Sequence, residues 1–507
     1  MLSSISSFII HHSSFVPSPS FFVKVLAVDL SKYWTLSKVA HACQGRMAEG
    51  AEKTPIKGIS IDSRKIKKGE LFWAITGERF DGNLFVAQAA RNGAIAAVLS
   101  REPEPTLLPK GLPFIKVGNS TFSLGAFARE HRLLFKNANI VAVTGSNGKT
   151  TTKELIASVL SEGGTTLKSP ENHNNEIGCP LALLELTSKH KFAVLELAAR
   201  RPGDIKHLSC VVHPFAAVLT NIGSAHLQTF GNIEHVFRAK SEILSGLDPA
   251  GYVIYNADDP LLGRLPKMGY AFHFANFALN HDADYKGQVL DINPDTIDIE
   301  VFIKGKSACK MSLNSPSLPF AKSAMAAFTC GVILGIKPKY IAEALGEENP
   351  PDMRGERFIL NNKSIVVNDA YNANPSSMLE GSISFLNAYR ESKRLLVLGE
   401  MRELGSQEAT LHWETGSFII AEAIRNGTLD ENVEILIVGN NLAIELASGV
   451  ASQKDYLAKP PILLADKKDA VKYIQDFIQR SEKPCAIYFK ASRLENFEDI
   501  INKIKVK

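Results

Sequence analysis

Residues 144–151 read Thr-Gly-Ser-Asn-Gly-Lys-Thr-Thr and lie between an all-apolar run, 140–143, and a helix predicted over 150–160. Such a strand–loop–helix passage is suited to holding phosphate. Glycine lets backbone N–H groups approach an anion without a Cβ in the way. The helix N-terminus adds a partial positive charge. Gly145, Ser146, Asn147 and Gly148 form the cradle, Lys149 can reach the β- and γ-phosphates, and Thr150 and Thr151 follow, with the Thr150 hydroxyl placed for Mg²⁺. The loop is shorter than the common G-x-x-x-x-G-K-[ST], because Val143 stands at the first glycine position.

Two further apolar runs carry polar residues at or near their ends. Glu196 interrupts Val194-Leu195-Glu196-Leu197. A buried carboxylate needs a partner, and a cation is the expected one. Asn221-Ile222-Gly223-Ser224-Ala225-His226 follows the run ending at Thr220. Ligands gather beyond the carboxyl ends of parallel strands, so Thr150, Glu196 and His226 are expected to converge on Mg²⁺. Read alone, His226 is more often a loop histidine than a ligand. Lys240, on a helix predicted over 233–247, reads alone as a solvated surface lysine. Asp369 ends an apolar strand, where it fits a helix N-cap as well as a site residue. Tyr371, Asn372 and Asn374 are turn-formers as readily as substrate contacts.

The elements that must position these groups are short apolar strands alternating with helices. In the middle of the chain they fall at 140–144, 192–197, 216–220 and 252–255; nearer the C-terminus they fall at 365–368, 394–398, 434–438, 461–464 and 486–489. This alternation predicts an α/β protein with mostly parallel sheets. An earlier set lies at 59–64, 71–75, 94–99 and 114–117, after a capped helix start at Thr35. Residues 282–312 read as antiparallel strands inserted in the middle sheet, 321–334 as a helix and 347–352 as a linker. Three domains are therefore expected: 28–137, 138–346 with the phosphate loop, and a Rossmann-like 347–507. That count suits 507 residues.

Residues 1–27 are rich in Ser and Phe and nearly uncharged. They lack the basic start of a signal peptide and are expected to be a disordered extension or the product of an upstream start codon. The net charge of +4 and the lack of a basic run argue against nucleic-acid binding. No stretch reaches the roughly 18 apolar residues of a membrane span. The six cysteines are scattered without CxxC spacing, as expected of reduced thiols in a cytoplasmic protein.

From about residue 34 the chain resembles the Mur ligases. The resemblance rests on Gly145–Thr151, on Leu195-Glu196-Leu197, on Asn221–His226 and on Ala239-Lys240. It implies an ATP-dependent, Mg²⁺-using ligase that forms an amide bond through an acyl phosphate in peptidoglycan precursor synthesis. It also implies that Lys240 is carbamylated and binds metal with Thr150, Glu196 and His226, and that Lys149, Glu196, His226, Lys240 and Arg354 are catalytic. The stretches 368–378 and 398–405 are similar to those of the family member whose substrates are UDP-muramoyl-tripeptide and D-alanyl-D-alanine. Asp62-Ser63-Arg64 and Phe80-Asp81-Gly82 resemble the UDP-substrate segment, which makes Ser63, Arg64 and Asp81 binding candidates. Met353-Arg354-Gly355-Glu356 resembles the segment whose Arg reaches the nucleotide phosphates, and Asp369 would touch the nucleotide with it. Residues 172–178 match a substrate-side loop, which adds Asn174 and Asn175 to Tyr371, Asn372 and Asn374. The expected protein is a monomer. Another Mur-type ligase, a folate polyglutamate ligase and a non-catalytic nucleotide-binding relative are the alternatives. The chain departs from the family at Ala198, at Ser317-Leu318-Pro319-Phe320, where Gly-x-His-Asn with an adenine contact is usual, and at Ala491.

Overall fold

The computed structural model describes residues 28–505, except 48–49, 78–79, 104–107, 171–172 and 225–226. The expectations for residues 1–27, Asn172 and His226 lie outside the described residues. The chain divides into two compact units, one up to Ser123 and one from Leu124 onward.

The first unit holds a five-stranded sheet of β1 (Arg46–Met47), β2 (Gly58–Ser60), β3 (Glu70–Trp73), β4 (Ala96–Leu99) and β5 (Phe114–Lys116). Its order is β1-β5-β4-β3-β2, with only β1 antiparallel to its neighbour. β3 and β4 are buried at every position, which explains their unbroken apolar sequence. The Trp73 indole donates to Ser120 O at 2.7 Å, so the largest core side chain keeps its polar atom paired.

The second unit carries two sheets. The larger comprises β6 (Asn139–Thr144), β7 (Thr166–Lys168), β8 (Phe192–Glu196), β9 (Ala216–Leu219), β10 (Tyr252–Asn256), β11 (His273–Ala278), β12 (Tyr285–Ile292), β13 (Ile297–Ile303) and β14 (Lys306–Leu313). The order is β14-β13-β12-β11-β10-β9-β6-β8-β7. The strands are parallel from β7 to β12, and β12–β13–β14 turn antiparallel. The segment 282–312 is thus an extension at the sheet edge rather than an insertion within it. β11 links it to β10 and was not foreseen, because His273 and Asn276 break its apolar pattern.

The smaller sheet comprises β15 (Glu356–Ile359), β16 (Ile365–Asn368), β17 (Arg394–Leu398), β18 (Val433–Val438), β19 (Ile462–Leu464) and β20 (Ala486–Lys490), in the order β15-β16-β20-β17-β18-β19. All pairs but β15–β16 are parallel, as the alternation predicts. The Leu318–Ile333 helix packs against the Lys149–Ser161 helix, with Phe320, Ala324, Phe328, Leu155 and Val159 in one buried core. The expected 233–247 helix is α-helical over Ile233–Ser241 and tightens to a 3-10 turn over Glu242–Gly246.

Candidate active site

The phosphate loop leaves β6 and enters the Lys149–Ser161 helix through two glycines in backbone conformations that other residues resist. Gly145 has φ 149° and Gly148 φ 77°. A Cβ on Gly145 would overlap the Thr220 hydroxyl, so glycine is also required by the close approach of the neighbouring strand end. The loop is held from that side. Ser146 N donates to Asn221 O at 3.0 Å, and Asn147 N donates to Asn221 Oδ1 at 2.9 Å. The Thr220 hydroxyl donates to Asn147 O at 2.6 Å, and Gly223 N donates to Ser146 Oγ at 2.8 Å. Asp259 in turn fixes the 221–223 segment by accepting Ile222 N–H at 2.6 Å. The loop backbone is therefore held in place by its neighbours, so an anion bound there would pay little ordering cost.

Thr150 and Glu196 meet at the floor. The Thr150 hydroxyl donates to Glu196 Oε2 at 2.8 Å, and Asn174 Nδ2 donates to Oε1 at 3.0 Å. Glu196 is buried, and both of its carboxylate oxygens accept a hydrogen bond, one from a hydroxyl and one from an amide. Lys149 folds back, donating to Gly145 O at 2.9 Å and Ser146 O at 3.0 Å. Burial lowers the pKa of its amine; Glu196 opposes this and Arg354 adds to it.

Lys240 corrects the surface reading. Its side chain is 1% exposed, with its amine above the Phe230 ring at 5.9 Å. Burial, with the nearby Lys149 charge, brings its pKa down to about 7. The helix places it inward, because Val236, Phe237 and Ala239 share the buried side. Spacing alone cannot distinguish a lysine on that side from one facing water.

A cavity of about 340 Å³ opens above the loop. One side carries Phe277, Pro319 and Phe320; the other carries Arg354, Asp369 and Tyr371 from the smaller-sheet half. Arg354 stacks on the Tyr371 ring at 3.7 Å. Asp369 is not a helix N-cap. Its Oδ2 accepts from Lys490 Nζ and Tyr488 Oη, both at 2.7 Å, and its backbone N–H continues the β16–β20 ladder to Phe489 O. The cap is Asn374, whose Oδ1 accepts Ser377 N–H in a reciprocal capping box. Tyr371 and Asn372 line the cavity, whereas Asn374 is 4% exposed and faces the phosphate loop. Asn174 also lines it, while Asn175 closes a turn by accepting Ile177 N–H and Gly178 N–H. Tyr488 has no signal in the sequence beyond membership of an apolar strand, and Lys490 shows only as the start of Lys490-Ala491-Ser492-Arg493, which resembles the family's Lys-Gly-Ser-Arg.

In the first unit, Ser63, Arg64 and Asp81 each have a side-chain partner. The Ser63 hydroxyl donates to Gln88 Oε1, Arg64 pairs with Asp62, and Asp81 caps a turn and pairs with Arg101 at 2.8 Å. Phe80 beside them is 54% exposed and stacks on Phe85.

A phosphate loop, a buried carboxylate below it and a charged wall from a second parallel sheet define the class: a nucleotide-dependent α/β enzyme. The comparisons make the class particular. Residues 143–331 match the Mur ligase middle domain, and residues 55–132 match the Mur ligase family catalytic domain. UDP-N-acetylmuramoyl-tripeptide–D-alanyl-D-alanine ligase of Bacillus subtilis is 33% identical over 477 residues, 92% of this chain and 97% of the relative. The ligase of that name from Escherichia coli is 31% identical, over 93% and 98% of the two chains. Among solved structures, MurF of Acinetobacter baumannii superposes with a TM-score of 0.84 at 28% identity, covering 94% of this chain and 99% of that one. MurF ligase of Thermotoga maritima, solved in complex with ADP, gives 0.76 at 27%, covering 88% and 97%. This chain belongs to the Mur ligase family.

Proposed function

We propose that this protein is the ATP-dependent ligase that joins the terminal carboxylate of UDP-N-acetylmuramoyl-tripeptide to the amine of D-alanyl-D-alanine. The observation that carries the reading is the Thr150–Glu196 pair at 2.8 Å, set under a cavity shared by the phosphate loop, Arg354 and Asp369. Full-length relatives bearing that activity in their names supply the substrates. In this reading residues 28–137 bind the UDP end, 138–346 bind ATP, and 347–507 close on the nucleotide and receive the dipeptide. The protein works as a cytoplasmic monomer.

A carboxylate and an amine do not condense in water without activation. A carboxylate oxygen attacks the γ-phosphorus of ATP, and ADP leaves. The amine nitrogen then attacks the acyl phosphate carbon, loses a proton, and phosphate leaves. The work asked of the protein is positioning and neutralising charge. The N–H groups of residues 145–151 hold the β- and γ-phosphates, and Lys149 exchanges its loop carbonyls for phosphate oxygen. Arg354 meets the phosphates from the opposite wall, and Asp369, held by Lys490 and Tyr488, takes a ribose hydroxyl. The base rests on the aromatic side at Phe277 and Phe320. The paired oxygens of Thr150 and Glu196 fit one Mg²⁺. His226 and carbamylated Lys240 suit a second, the neutral Lys240 amine being the form that takes up CO₂. Bound Mg²⁺ supplies charge neutralisation at the transferring phosphoryl group. Asn174, Tyr371 and Asn372, which line the cavity, are assigned to the substrate side, and Ser63, Arg64 and Asp81 to the UDP side.

The test is ADP release with ATP, Mg²⁺, UDP-muramoyl-tripeptide and D-alanyl-D-alanine, with each omitted in turn. Dipeptide-dependent turnover and a ligated product by mass spectrometry are expected. Nucleotide binding with no dipeptide-dependent turnover would instead make the chain a scaffold.

A further inference from the structure

Asn147 belongs to the phosphate loop, but its side chain does not face the cradle. It crosses to the half of the unit built on the smaller sheet. Its Nδ2 donates to Ser376 Oγ at 3.0 Å and to Asn374 Oδ1 at 3.3 Å, and its Oδ1 accepts Asn374 Nδ2 at 2.7 Å. The two asparagines are 227 residues apart. The orientation of Asn374 is fixed independently: its Oδ1 is committed to Ser377 N–H at the start of the Pro375–Ala388 helix, so its Nδ2 must point at the loop. Asn147 is equally fixed, its backbone tied at both N and O to Asn221 and Thr220. Ser376 sits so close to the 221–223 segment that a Cβ on Gly223 would lie 2.7 Å from its hydroxyl.

The partners on either side of this pair belong to opposite walls of the cavity. Lys149 and Thr150 lie two and three positions after Asn147. Asp369, Tyr371 and Asn372 lie five, three and two positions before Asn374, and Gly381 and Phe385 of its helix line the cavity. A reciprocal amide pair between two such anchored residues sets the spacing of the two walls. We infer that Asn147 and Asn374 form a latch that registers the wall bearing Arg354, Asp369 and Tyr371 against the bound phosphates, so that Asn374 acts as a positioning residue rather than a substrate contact. This rests on the ligase reading above. Loosening the latch leaves the phosphate loop intact, since Thr220, Asn221 and Asp259 still hold it. It blurs the alignment of the reacting groups and admits water to the acyl phosphate. Other contacts cross between the halves as well: Leu318 N–H donates to Ser384 Oγ at 2.9 Å, Tyr389 Oη donates to Pro294 O at 3.1 Å, and Lys322–Glu380 and Arg357–Asp295 form ion pairs; of these contacts, the Asn147–Asn374 pair is the one made by the phosphate loop itself.

The informative variant is Asn374→Ser. Serine is a good N-cap, so the helix start survives, but its short side chain cannot return a donor to Asn147. Four proteins are compared: wild type, N374S, N147S and N147S/N374S. The measurements are kcat, KM for ATP and for dipeptide, the ratio of ADP released to amide formed, and the radius of gyration by small-angle X-ray scattering. For N374S the expected result is a kcat about tenfold lower, as for loss of a buried hydrogen-bonded pair, with ATP KM within about twofold. ADP release should outrun amide formation, and the radius of gyration should rise. The double variant should match N147S in all of these, because one interaction is removed only once. Unchanged kcat and coupling in N374S overturn the latch, as do losses that multiply in the double variant. A rise in dipeptide KM alone overturns it too, returning Asn374 to the substrate. If the wild type shows no turnover, the ligase reading fails, and the scattering comparison across the four proteins still decides the latch.

Discussion

Removing the Glu434 carboxylate should weaken the smaller sheet in a pH-dependent way whose sign the structure dictates. Glu434 lies on β18 with its side chain 1% exposed. It accepts from Lys459 Nζ at 2.7 Å, from Arg480 Nη1 at 3.0 Å and from the Tyr473 hydroxyl. Burial alone would raise its pKa, but Arg480, Lys459 and Tyr473 outweigh burial and bring it from 4.5 to about 2. At 1.36 kcal/mol per unit that shift corresponds to about 3 kcal/mol. Arg480 and Lys459 are 41% and 46% exposed, so solvent screens part of it, and roughly 2 kcal/mol is a sound expectation.

A carboxyl whose pKa is depressed on folding stabilises fully above its unfolded pKa. It loses that contribution as pH falls toward the folded value. E434Q should therefore be about 2 kcal/mol less stable than wild type from neutral pH down to about 5.5. The gap should shrink below about 4.5. Hydrogen exchange at the amides of β17 and β18 reads this locally, without requiring the whole chain to unfold in one step. A gap under about 0.5 kcal/mol at pH 7, or one that widens on acidification, would refute the reasoning.

Two further outcomes follow from the site. Gly381→Ala would press a methyl group on the Tyr488 hydroxyl, which holds Asp369; ATP affinity should fall by about tenfold and stability by roughly 1–3 kcal/mol, with a titration on folded protein as the check and unaltered ATP binding as the contrary result. Lys240→Arg keeps a positive charge but cannot be carbamylated and overfills a site that is 1% exposed. Turnover should drop at least about a hundredfold, while wild-type turnover should fall in CO₂-depleted buffer and recover with bicarbonate; an active K240R enzyme would remove the carbamate.

Much of this site is visible in the sequence, for a local reason. The phosphate loop announces itself because one short segment contains its strand, its glycines and its helix start. Glu196 shows because an acid within Val194–Leu197 contradicts its surroundings. Lys240 shows only through the family resemblance, because by residue pattern alone a helix carrying Glu234, Arg238 and Lys240 looks solvated until Val236 and Phe237 are known to face a core. Asp369 is visible as a strand-end acid, but the setting of its carboxylate depends on Tyr488 and Lys490, about 120 positions away. The role of Asn374 was hidden in the same way: both a cap and a contact across the cavity suit asparagine, and only distance separates them. In the fold, strands with unbroken apolar runs were read to within a residue or two. β11 was lost to its polar positions, and the edge placement of β12–β14 could not follow from a pattern that records pairing type but not neighbours.

The Asp369–Lys490 pair has a consequence for assembly as well as for binding. β16 and β20 are parallel neighbours with Asn368 opposite Phe489, so the two charges meet only in that alignment. Sliding either strand by one position would turn its side chains to the other face. Lys490, which is 4% exposed, would then be sealed away from both water and its counter-charge, at a cost of about 3–5 kcal/mol. The strands that bring the Asp369 carboxylate to the cavity thereby proofread their own pairing: a misaligned sheet is penalised before it can present a faulty cavity wall.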